Sequence, residues 1–282
     1  MTTVGEAIRD GAVQLAATSD TARLDAELLM AHALGATRSA MLLKCTRDPA
    51  PPTFSDLIGR RAQHEPVAYI TGSQEFYGRD FTVTRDTLIP RPDSETVVEA
   101  ALELLGNEPS SASHGVLDLG TGTGALLLSV LAERPAFRGK GVDRSAAAVE
   151  VADQNAARLG LSDRATFSVG GWHGHEDEQG RAWWQGFDHY DLVISNPPYV
   201  ELDAALDPSV RDYEPHSALF AGPDGLDDYR LIIPGLHEIA LKAVLEIGAS
   251  QADAVGELAE KAGFRAEVRR DLANRPRALI LS

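Results

Sequence analysis

A glycine-rich stretch is one of two motifs in this sequence whose residue types can carry chemistry. It runs from Asp118 to Gly124 as DLGTGTG, leaves an apolar run typical of a strand and enters a run typical of a helix. Glycines let the backbone turn tightly and let a ligand approach the main chain, and a helix N-terminus adds N–H donors without intrahelical partners. The Gly-x-Gly-x-Gly spacing differs from the Gly-x-Gly-x-x-Gly of dinucleotide binders. The stretch therefore predicts a ligand-binding turn between a strand and a helix.

An acidic residue, Asp143, ends the next predicted strand, 25 residues after Asp118. A carboxylate in that place can accept hydrogen bonds from both hydroxyls of a ribose, which indicates a nucleoside-bearing ligand at the carboxyl ends of a parallel sheet. A carboxylate beside the loop would repel a pyrophosphate but can complement a positive charge. Asp118 therefore favours an adenosyl sulfonium cofactor over a dinucleotide with a pyrophosphate. The alternative is a tight strand–helix turn that binds nothing, with Asp143 as a helix cap.

The second motif is the tetrad Asn196-Pro197-Pro198-Tyr199, which follows the predicted strand at 191–195. The prolines stiffen the loop, Asn196 and adjacent carbonyls offer acceptors, and Tyr199 offers a flat face. Such a site can bind a planar –NH2 group. The nitrogen of such a group is a poor nucleophile because its lone pair is delocalised. Hydrogen bonds donated by both N–H groups favour pyramidalisation of the nitrogen as it attacks. The same hydrogen bonds stabilise the developing charge and orient the nitrogen toward a methyl donor. The alternative is a proline turn that closes a strand.

Composition excludes several classes of protein. The 282 residues carry a formal net charge of −16, which argues against tight binding to duplex nucleic acid. The single cysteine, Cys45, excludes an intramolecular disulfide and a Cys-cluster metal site. No apolar run approaches the roughly 20 residues of a membrane span, and the opening residues include Glu6 and Asp10 and no apolar block. We therefore expect a cytoplasmic protein with no membrane association.

The pattern along the chain changes after the first 65 residues. Before that point, apolar periodicity predicts four short helices, at 4–17, 20–34 with Asp20 as cap, 37–44 and 54–64. Short β-type runs at 67–70, 75–77 and 81–83 are interpreted as a hairpin-like linker. A stiff proline loop at 88–93 then leads to a helix that is capped by Asp93 or Ser94.

From residue 115 onward, predicted strands and helices alternate. Strands are predicted at 116–119, 141–143, 165–169, 191–195, 243–247 and 277–281, and helices at 125–133, 146–159 and 251–262. Such alternation indicates an α/β fold with a parallel sheet and helices on both faces.

These motifs, together with several others, resemble those of the HemK/PrmC family, the release-factor glutamine methyltransferases that use S-adenosylmethionine. The resemblance covers nearly the whole chain. The additional matching stretches are EPVAYITG at 65–72, EFYG at 75–78, LIPRP at 88–92, EP at 214–215, DGL at 224–226 and LEIG at 245–248. The tetrad alone is shared with DNA adenine methyltransferases, whereas EFYG and IPRP with the helical N-terminus are far more specific.

The resemblance implies a class I S-adenosylmethionine-dependent methyltransferase fold, Rossmann-like with a mostly parallel sheet, behind a small N-terminal helical domain and a β-hairpin linker. It implies an N-terminal substrate-docking domain with the linker over 1–84 and a methyltransferase domain over 85–282. It also implies methyl transfer to the side-chain amide nitrogen, N5, of the glutamine in the Gly-Gly-Gln motif of class I peptide-chain release factors. The release factor would then be the protein partner.

The resemblance also assigns roles by position. Asn196, Pro197, Pro198 and Tyr199 would hold the glutamine. The residues that would meet the cofactor are Gly120, Thr121, Gly122, Thr123, Gly124, Asp143, Trp172 and Asn196. Three other functions stay open: a ribosomal-protein glutamine methyltransferase, a nucleic-acid methyltransferase acting on adenine N6 or guanine N2, and a binding protein without catalytic activity.

The sequence departs from the family pattern at three places. Gly171 stands where the family usually has an aspartate before Trp172, the usual Pro-Gly-Gly turn before Ala243 is missing, and the connection from His173 to His189 is longer. An aspartate at position 171 is expected to tighten cofactor binding, unless the glycine has a positive φ.

Weaker signals lie outside the two motifs. Four residues with potential metal-ligand side chains, His173, His175, Glu176 and Asp177, are interpreted as parts of a solvated loop, so no metal site is predicted. Arg60 and Arg61 are interpreted as a solvated helix face.

Overall fold

The computed structural model describes residues 2–106, 115–173 and 182–282. Its chain forms two compact units, one of Met1–Ser73 with Leu206–Tyr213 and one of Gln74–Ala205 with Glu214–Ser282. The functional division after residue 84 stays a prediction. His175, Glu176 and Asp177 lie outside the described residues. Within the described ranges, no helix combines the length and the apolar composition that crossing a bilayer requires.

The smaller unit is built from short helices around an apolar core. The helices of its N-terminal part are α1 (Val4–Leu15), α2 (Ala22–Ala33), α3 (Arg38–Lys44), α4 (Phe54–Arg61) and α5 (Val67–Thr71). The first helix begins with a capping box, in which Thr3 accepts from the N–H of Glu6 and the Glu6 carboxylate accepts from the N–H of Thr3. Ile8, Leu29 and Ile58 lie fully inside this core.

Two expectations for the smaller unit are wrong. The run at 67–70 is helical rather than β-type, because the N–H groups of Tyr69 and Ile70 donate to the Pro66 carbonyl and a left-handed Gly72 ends the turn. Asp20 does not cap α2, whose N-cap is Thr21.

Arg61 is also placed differently from the expectation of a solvated face. Its guanidinium donates to the carboxylate of Asp25 at 2.6 Å, and its side chain is only 12% exposed. The partner lies 36 residues earlier in the chain, so helical periodicity carries no signal for it. Arg60, which stays partly exposed, donates to Glu65 through two nitrogens. In the buried Arg61–Asp25 pair, the attraction between the two charges offsets part of the cost of removing them from water.

In the described part of the chain, the larger unit contains a seven-stranded sheet and a hairpin, apart from the first hairpin residue, Ser73. The hairpin is β1 (Ser73–Phe76) and β2 (Arg79–Thr82), and a 3₁₀ turn at Pro92–Ser94 precedes α6 (Glu95–Leu105). The sheet strands are β3 (Val116–Leu119), β4 (Gly139–Asp143), β5 (Ala165–Val169), β6 (Leu192–Ser195), β7 (Ala243–Glu246), β8 (Ala266–Arg270) and β9 (Pro276–Leu281). Their order is β5-β4-β3-β6-β7-β9-β8, with β9 antiparallel to both of its neighbours.

Helices complete the α/β arrangement. They are α7 (Ala125–Glu133), α8 (Ala146–Arg158), α9 (Pro208–Arg211, in the smaller unit), α10 (Asp227–Ile232), α11 (Leu236–Ile239) and α12 (Ala252–Lys261). Apolar residues of α6 and α7 pack in one core cluster with the sheet, and those of α10, α11 and α12 pack in another. The predicted α/β fold with a mostly parallel sheet is confirmed. Strand β8 was not predicted, because its sequence AEVRR is a mostly polar, half-exposed edge strand.

The strand order changes direction between β3 and β6. From β3 the chain proceeds outward through β4 and β5 on one side, and through β6 and β7 on the other. In open α/β sheets, ligands bind in the crevice outside the carboxyl ends of strands at such a switch point. The two motifs that carry chemistry follow β3 and β6 directly.

A buried amide connects the hairpin to the glycine loop. The side chain of Asn155 on α8 is fully buried; its Oδ1 accepts from the N–H of Thr82 at 2.7 Å. Its Nδ2 donates to the carbonyl of Thr82 at 3.0 Å and to that of Thr123 at 2.9 Å. One side chain therefore forms hydrogen bonds with the backbone of two segments that are not paired with each other as strands.

Replacing this amide tests its contribution. Asn155→Ala leaves three backbone groups without their partner, and an unsatisfied buried group costs about 1–3 kcal/mol. We expect a lower free energy of unfolding in denaturant titrations. Asp153→Ala, at an exposed position of the same helix, is the control and is expected to stay near the wild type. Equal unfolding midpoints for Asn155→Ala and wild type would contradict the assignment.

Candidate active site

The register of two parallel strands brings the two motifs together. Leu119, the last residue of β3, pairs with Ser195, the last residue of β6. The hydroxyl of Ser195 donates to the carbonyl oxygen of Leu119 at 2.6 Å, and both residues are fully buried. Gly120 and Asn196 therefore leave the sheet side by side.

The glycine loop requires glycine for steric and conformational reasons. Gly120, Gly122 and Gly124 have φ values of 74°, 54° and 78°, in the left-handed region. A Cβ on Gly120 would lie 3.0 Å from the ring of Trp172. The N–H groups of Gly120 and Thr121 both donate to the Val142 carbonyl at 2.9 Å, which ties the loop to β4.

Asp118 is a fully buried carboxyl below this loop. Its Oδ2 accepts from the hydroxyl of Thr121 at 2.7 Å, while its Oδ1 has no hydrogen-bond partner in the described part of the chain. Burial raises the pKa of Asp118 to about 7; the hydrogen bond from Thr121 lowers it and the nearby charge of Asp143 raises it. An orphaned buried acceptor of this kind is suited to a nearby positive charge.

Asp143 lies at the carboxyl end of β4 and lines the cleft. Its Oδ2 accepts from the N–H of Gly122, and its Oδ1 accepts from the N–H of Ser145, both at 2.9 Å. The N-cap of α8 is Ser145, whose side chain accepts from the N–H of Ala148. The two backbone donors fix the orientation of Asp143 and leave lone pairs for a ligand.

The tetrad forms the opposite wall. Asn196 is half-buried and lines the cleft, and its side-chain amide makes no hydrogen bond to any residue that the structure describes. Pro197 and Pro198 are buried. Tyr199 donates through its hydroxyl to the Oε1 of Glu246 at 3.2 Å. The acceptor on Asn196 is therefore available to a ligand.

A buried network supports Tyr199 from behind. Its carbonyl oxygen accepts from the side chain of Gln251 at 3.0 Å, and Gln251 also donates to the carbonyl of Gly225. Glu246 is buried at the end of β7, and burial raises its pKa to about 7. Burial of the Tyr199 side chain is the main cause that raises the pKa of its phenol far above the usual range, and the charge of Glu246 is the second. Tyr199 therefore serves as a neutral, fixed ring.

Two further side chains shape the mouth of the cleft. Glu214 is buried, and its carboxylate accepts from the guanidinium of Arg91 and from the N–H of Ile89. Pro90, Arg91 and Pro215 line the cleft. The proline loop at 88–92 is thus held to a segment more than 100 residues later in the chain.

The cleft has an empty volume of about 940 Å³, part of it open to solvent. It is lined by eight of the residues singled out from the sequence, namely Gly120, Thr121, Gly122, Thr123, Asp143, Trp172, Asn196 and Pro198. Gly124, Pro197 and Tyr199 lie behind the lining. All of these residues belong to the larger unit.

Sequence reasoning gave Asp228 no role. It is a buried residue of α10, and its Oδ1 accepts from the indole N–H of Trp172 at 2.5 Å. The Nε2 of His173, which sequence reasoning placed in a solvated loop, lies 3.1 Å from the same oxygen. Asp228 has a second aspartate before it in a polar helix segment, so the sequence carries no signal for its burial.

Gly171 has a φ of 153°, which L side chains rarely adopt. A Cβ there would meet open space, so the obstacle to a side chain is conformational and not steric. The backbone therefore works against the tightening expected from Gly171→Asp. Among the described residues, no group of three His, Cys, Asp or Glu side chains is placed to hold a metal.

The raised pKa of Asp118 makes a prediction about stability and pH. Well below pH 3.8, the ordinary pKa of the unfolded chain, the carboxyl is neutral in both the folded and the unfolded state. As the pH rises to about 7, the unfolded chain loses the proton first, so this stabilisation of the folded state is lost. Asp118→Asn removes the titration while keeping an acceptor for Thr121. We expect the melting temperature of Asp118→Asn, relative to wild type, to be higher at pH 8 than at pH 5.

Asp153→Asn, at an exposed site, is the control and should show no such change between the two pH values. A difference between Asp118→Asn and wild type that is the same at pH 5 and pH 8 would mean that Asp118 is ionised throughout.

Comparisons with known proteins agree with this geometry. A family model described as the PrmC N-terminal domain matches residues 6–72, and one described as a methyltransferase domain matches 110–218. The catalytic domain of hMettl16, solved in complex with an MAT2A 3′UTR hairpin, is 15% identical with a TM-score of 0.57, covering 78% of this chain and 81% of its own. A methyltransferase from Pyrococcus furiosus is 16% identical with a TM-score of 0.51, covering 80% and 98%. These likenesses establish the fold.

Closer relatives establish the family. The release factor glutamine methyltransferase of Cereibacter sphaeroides is 43% identical over 96% of this chain and 95% of its own length. The proteins of the same name from Rhodospirillum rubrum and Caulobacter vibrioides are 40% and 38% identical, over 92% and 93% of this chain and 78% and 89% of their own lengths. With both motifs meeting at one cleft and identity at this level over nearly the full length, this chain belongs to the release factor glutamine methyltransferase family.

Proposed function

We propose that this protein transfers a methyl group from S-adenosylmethionine to the N5 side-chain nitrogen of the glutamine in the Gly-Gly-Gln motif of class I peptide-chain release factors. The observation that carries the proposal is the unpartnered amide of Asn196, which lines the same cleft as the glycine loop. The names of the full-length relatives support the substrate class. The helical part over 1–84 would dock the release factor, and 85–282 would carry the reaction.

The residues of the cleft fit the cofactor. The left-handed glycines leave room for a ligand at the backbone, since a Cβ on Gly122 would meet nothing within 4 Å. Asp143 would accept from the ribose hydroxyls, and Trp172 would cover the base. Thr121, Thr123 and Asn196 would complete the contacts from the cleft lining, with Gly124 behind the loop. When bound, the cofactor supplies an electrophilic methyl group on a sulfonium, whose positive charge the buried Asp118 complements.

The tetrad would hold the nucleophile. The Oδ1 of Asn196 and neighbouring carbonyls accept the two hydrogens of the glutamine amide, so the nitrogen faces the methyl donor. Pro197 and Pro198 keep these acceptors rigid, and acceptors that are fixed before the reaction cost no reorganisation during it. Tyr199, which is anchored by Glu246 and Gln251, would cover the plane of the amide. The amide nitrogen loses its proton after transfer, so no strong general base is needed.

The role of Asn196 is tested by removing its acceptor. Asn196→Ala is expected to lower the rate of methyl transfer to a purified release factor by about 10²–10³-fold, the usual cost of one preorganised partner. Labelled S-adenosylmethionine, followed by mapping of the modified residue, measures both rate and site. Calorimetry with S-adenosylhomocysteine reports whether the cofactor site persists. Gln154→Ala, which truncates an exposed amide on α8, is the control. Near wild-type turnover by Asn196→Ala would remove Asn196 from the proposed site.

Duplex DNA separates this proposal from the nucleic-acid alternative. With a formal net charge of −16, the protein is expected to bind duplex DNA more weakly than micromolar at physiological salt and to leave it unmethylated. Fluorescence anisotropy and a labelled-methyl assay measure the two properties. Sub-micromolar affinity together with adenine methylation would favour the nucleic-acid function instead.

A further inference from the structure

The wall of the cleft beyond β5 is formed by residues 170–173. β5 is the neighbour of β4 on the side away from β3, and Asp143 ends β4. A ligand whose ribose meets Asp143 therefore extends its base toward the segment that follows β5. Gly170, Gly171, Trp172 and His173 all line the cleft there. Two of these four have no side chain, so in the described part of this wall Trp172 and His173 are the side chains that can contact a base.

His173 is held in place by a buried carboxylate. Asp228 is 3% exposed, and its Oδ1 lies 2.5 Å from the Nε1 of Trp172 and 3.1 Å from the Nε2 of His173. A carboxylate oxygen accepts hydrogen bonds, so the Nε2 of His173 is the ring nitrogen that carries a hydrogen. In the neutral imidazole the other nitrogen, Nδ1, is then an acceptor. The imidazole itself is about one-third exposed in the cleft.

Among the residues that the structure describes, the other side chains at this wall do not offer a comparable acceptor. Arg144 has donors and no acceptor, and Trp172 has a single donor that Asp228 already occupies. The hydroxyl oxygen of Ser145 accepts from the N–H of Ala148 as the cap of α8. The exocyclic amine of adenine is a hydrogen-bond donor, so it requires an acceptor at this place.

We propose that His173 is a specificity-determining residue for the base of the cofactor, in which Nδ1 accepts a hydrogen bond from the adenine amine while Asp228 fixes the ring. This inference rests on the proposed function, because it assumes that an adenosyl cofactor occupies the cleft. Asp228 acts as a positioning residue that holds Trp172 and His173 in one arrangement. Gly171, whose backbone disfavours a side chain, leaves this edge of the base to His173.

The test uses binding and no turnover. Isothermal titration calorimetry compares S-adenosylhomocysteine with S-inosylhomocysteine, which has a carbonyl oxygen in place of the amine and cannot donate from that position. Wild-type protein is expected to prefer the adenosyl compound by about tenfold, the upper range for one net hydrogen bond. His173→Phe keeps an aromatic ring without an acceptor. It is expected to weaken binding of the adenosyl compound by up to about tenfold and to bind both compounds equally.

His173→Asn is the matched variant. Its side-chain oxygen replaces Nδ1 as an acceptor, whereas both variants lose the contact of Nε2 with Asp228, so the comparison isolates the acceptor. Retention of most of the preference by His173→Asn, with its loss in His173→Phe, would support the proposal. A preference that survives in His173→Phe, or that both variants lose equally, would overturn it. Failure of wild-type protein to bind either compound would instead overturn the proposed function. Thermal unfolding verifies that both variants are folded.

Discussion

The parallel pairing of β3 with β6 is the constraint on which the site depends. The register aligns Leu119 with Ser195, and the Ser195 hydroxyl bonds to the Leu119 carbonyl oxygen. A shift of one residue would turn every side chain of β6 to the other face of the sheet and would displace the tetrad relative to the glycine loop. Two motifs more than 70 residues apart thus share one cleft because a buried ladder leaves no alternative alignment.

Two buried carboxyls next to the cleft lower the stability of the folded state. Asp118 on β3 and Glu246 on β7 are buried carboxyls, and burial raises the pKa of each to about 7. Near neutral pH, each of these carboxyls is ionised in part of the molecules. A buried carboxylate is poorly solvated, and this lowers the stability of the folded state. The Tyr199 hydroxyl and the charge of Arg277 favour the ionised form of Glu246. Perturbed carboxyls of this kind cluster where a protein binds or transforms a ligand.

Precision in the tetrad comes from elements that lie far away in sequence. Tyr199 is held by Glu246 at the end of β7 and by Gln251 at the start of α12. After the tetrad the chain contributes Leu206–Tyr213 to the smaller unit and returns to the larger one at Glu214, which accepts from Arg91. The side chains around the cleft are therefore fixed by packing and hydrogen bonds from several elements, as a site that positions a weak nucleophile requires.

The sequence by itself determined the α/β class, most of the parallel strands, the glycine loop, Asp143 and the tetrad. These features are local. The strand–turn–helix with its glycines depends on consecutive residues, and so does the proline turn after a strand. Only the tertiary structure decided that Arg61 pairs with Asp25, that 67–71 is helical and that AEVRR forms the edge strand β8. It also placed Asp228 beside Trp172 and Glu246 beside Tyr199, across 56 and 47 residues. The partner of a buried polar group is set by which elements pack together, and no local periodicity records that choice.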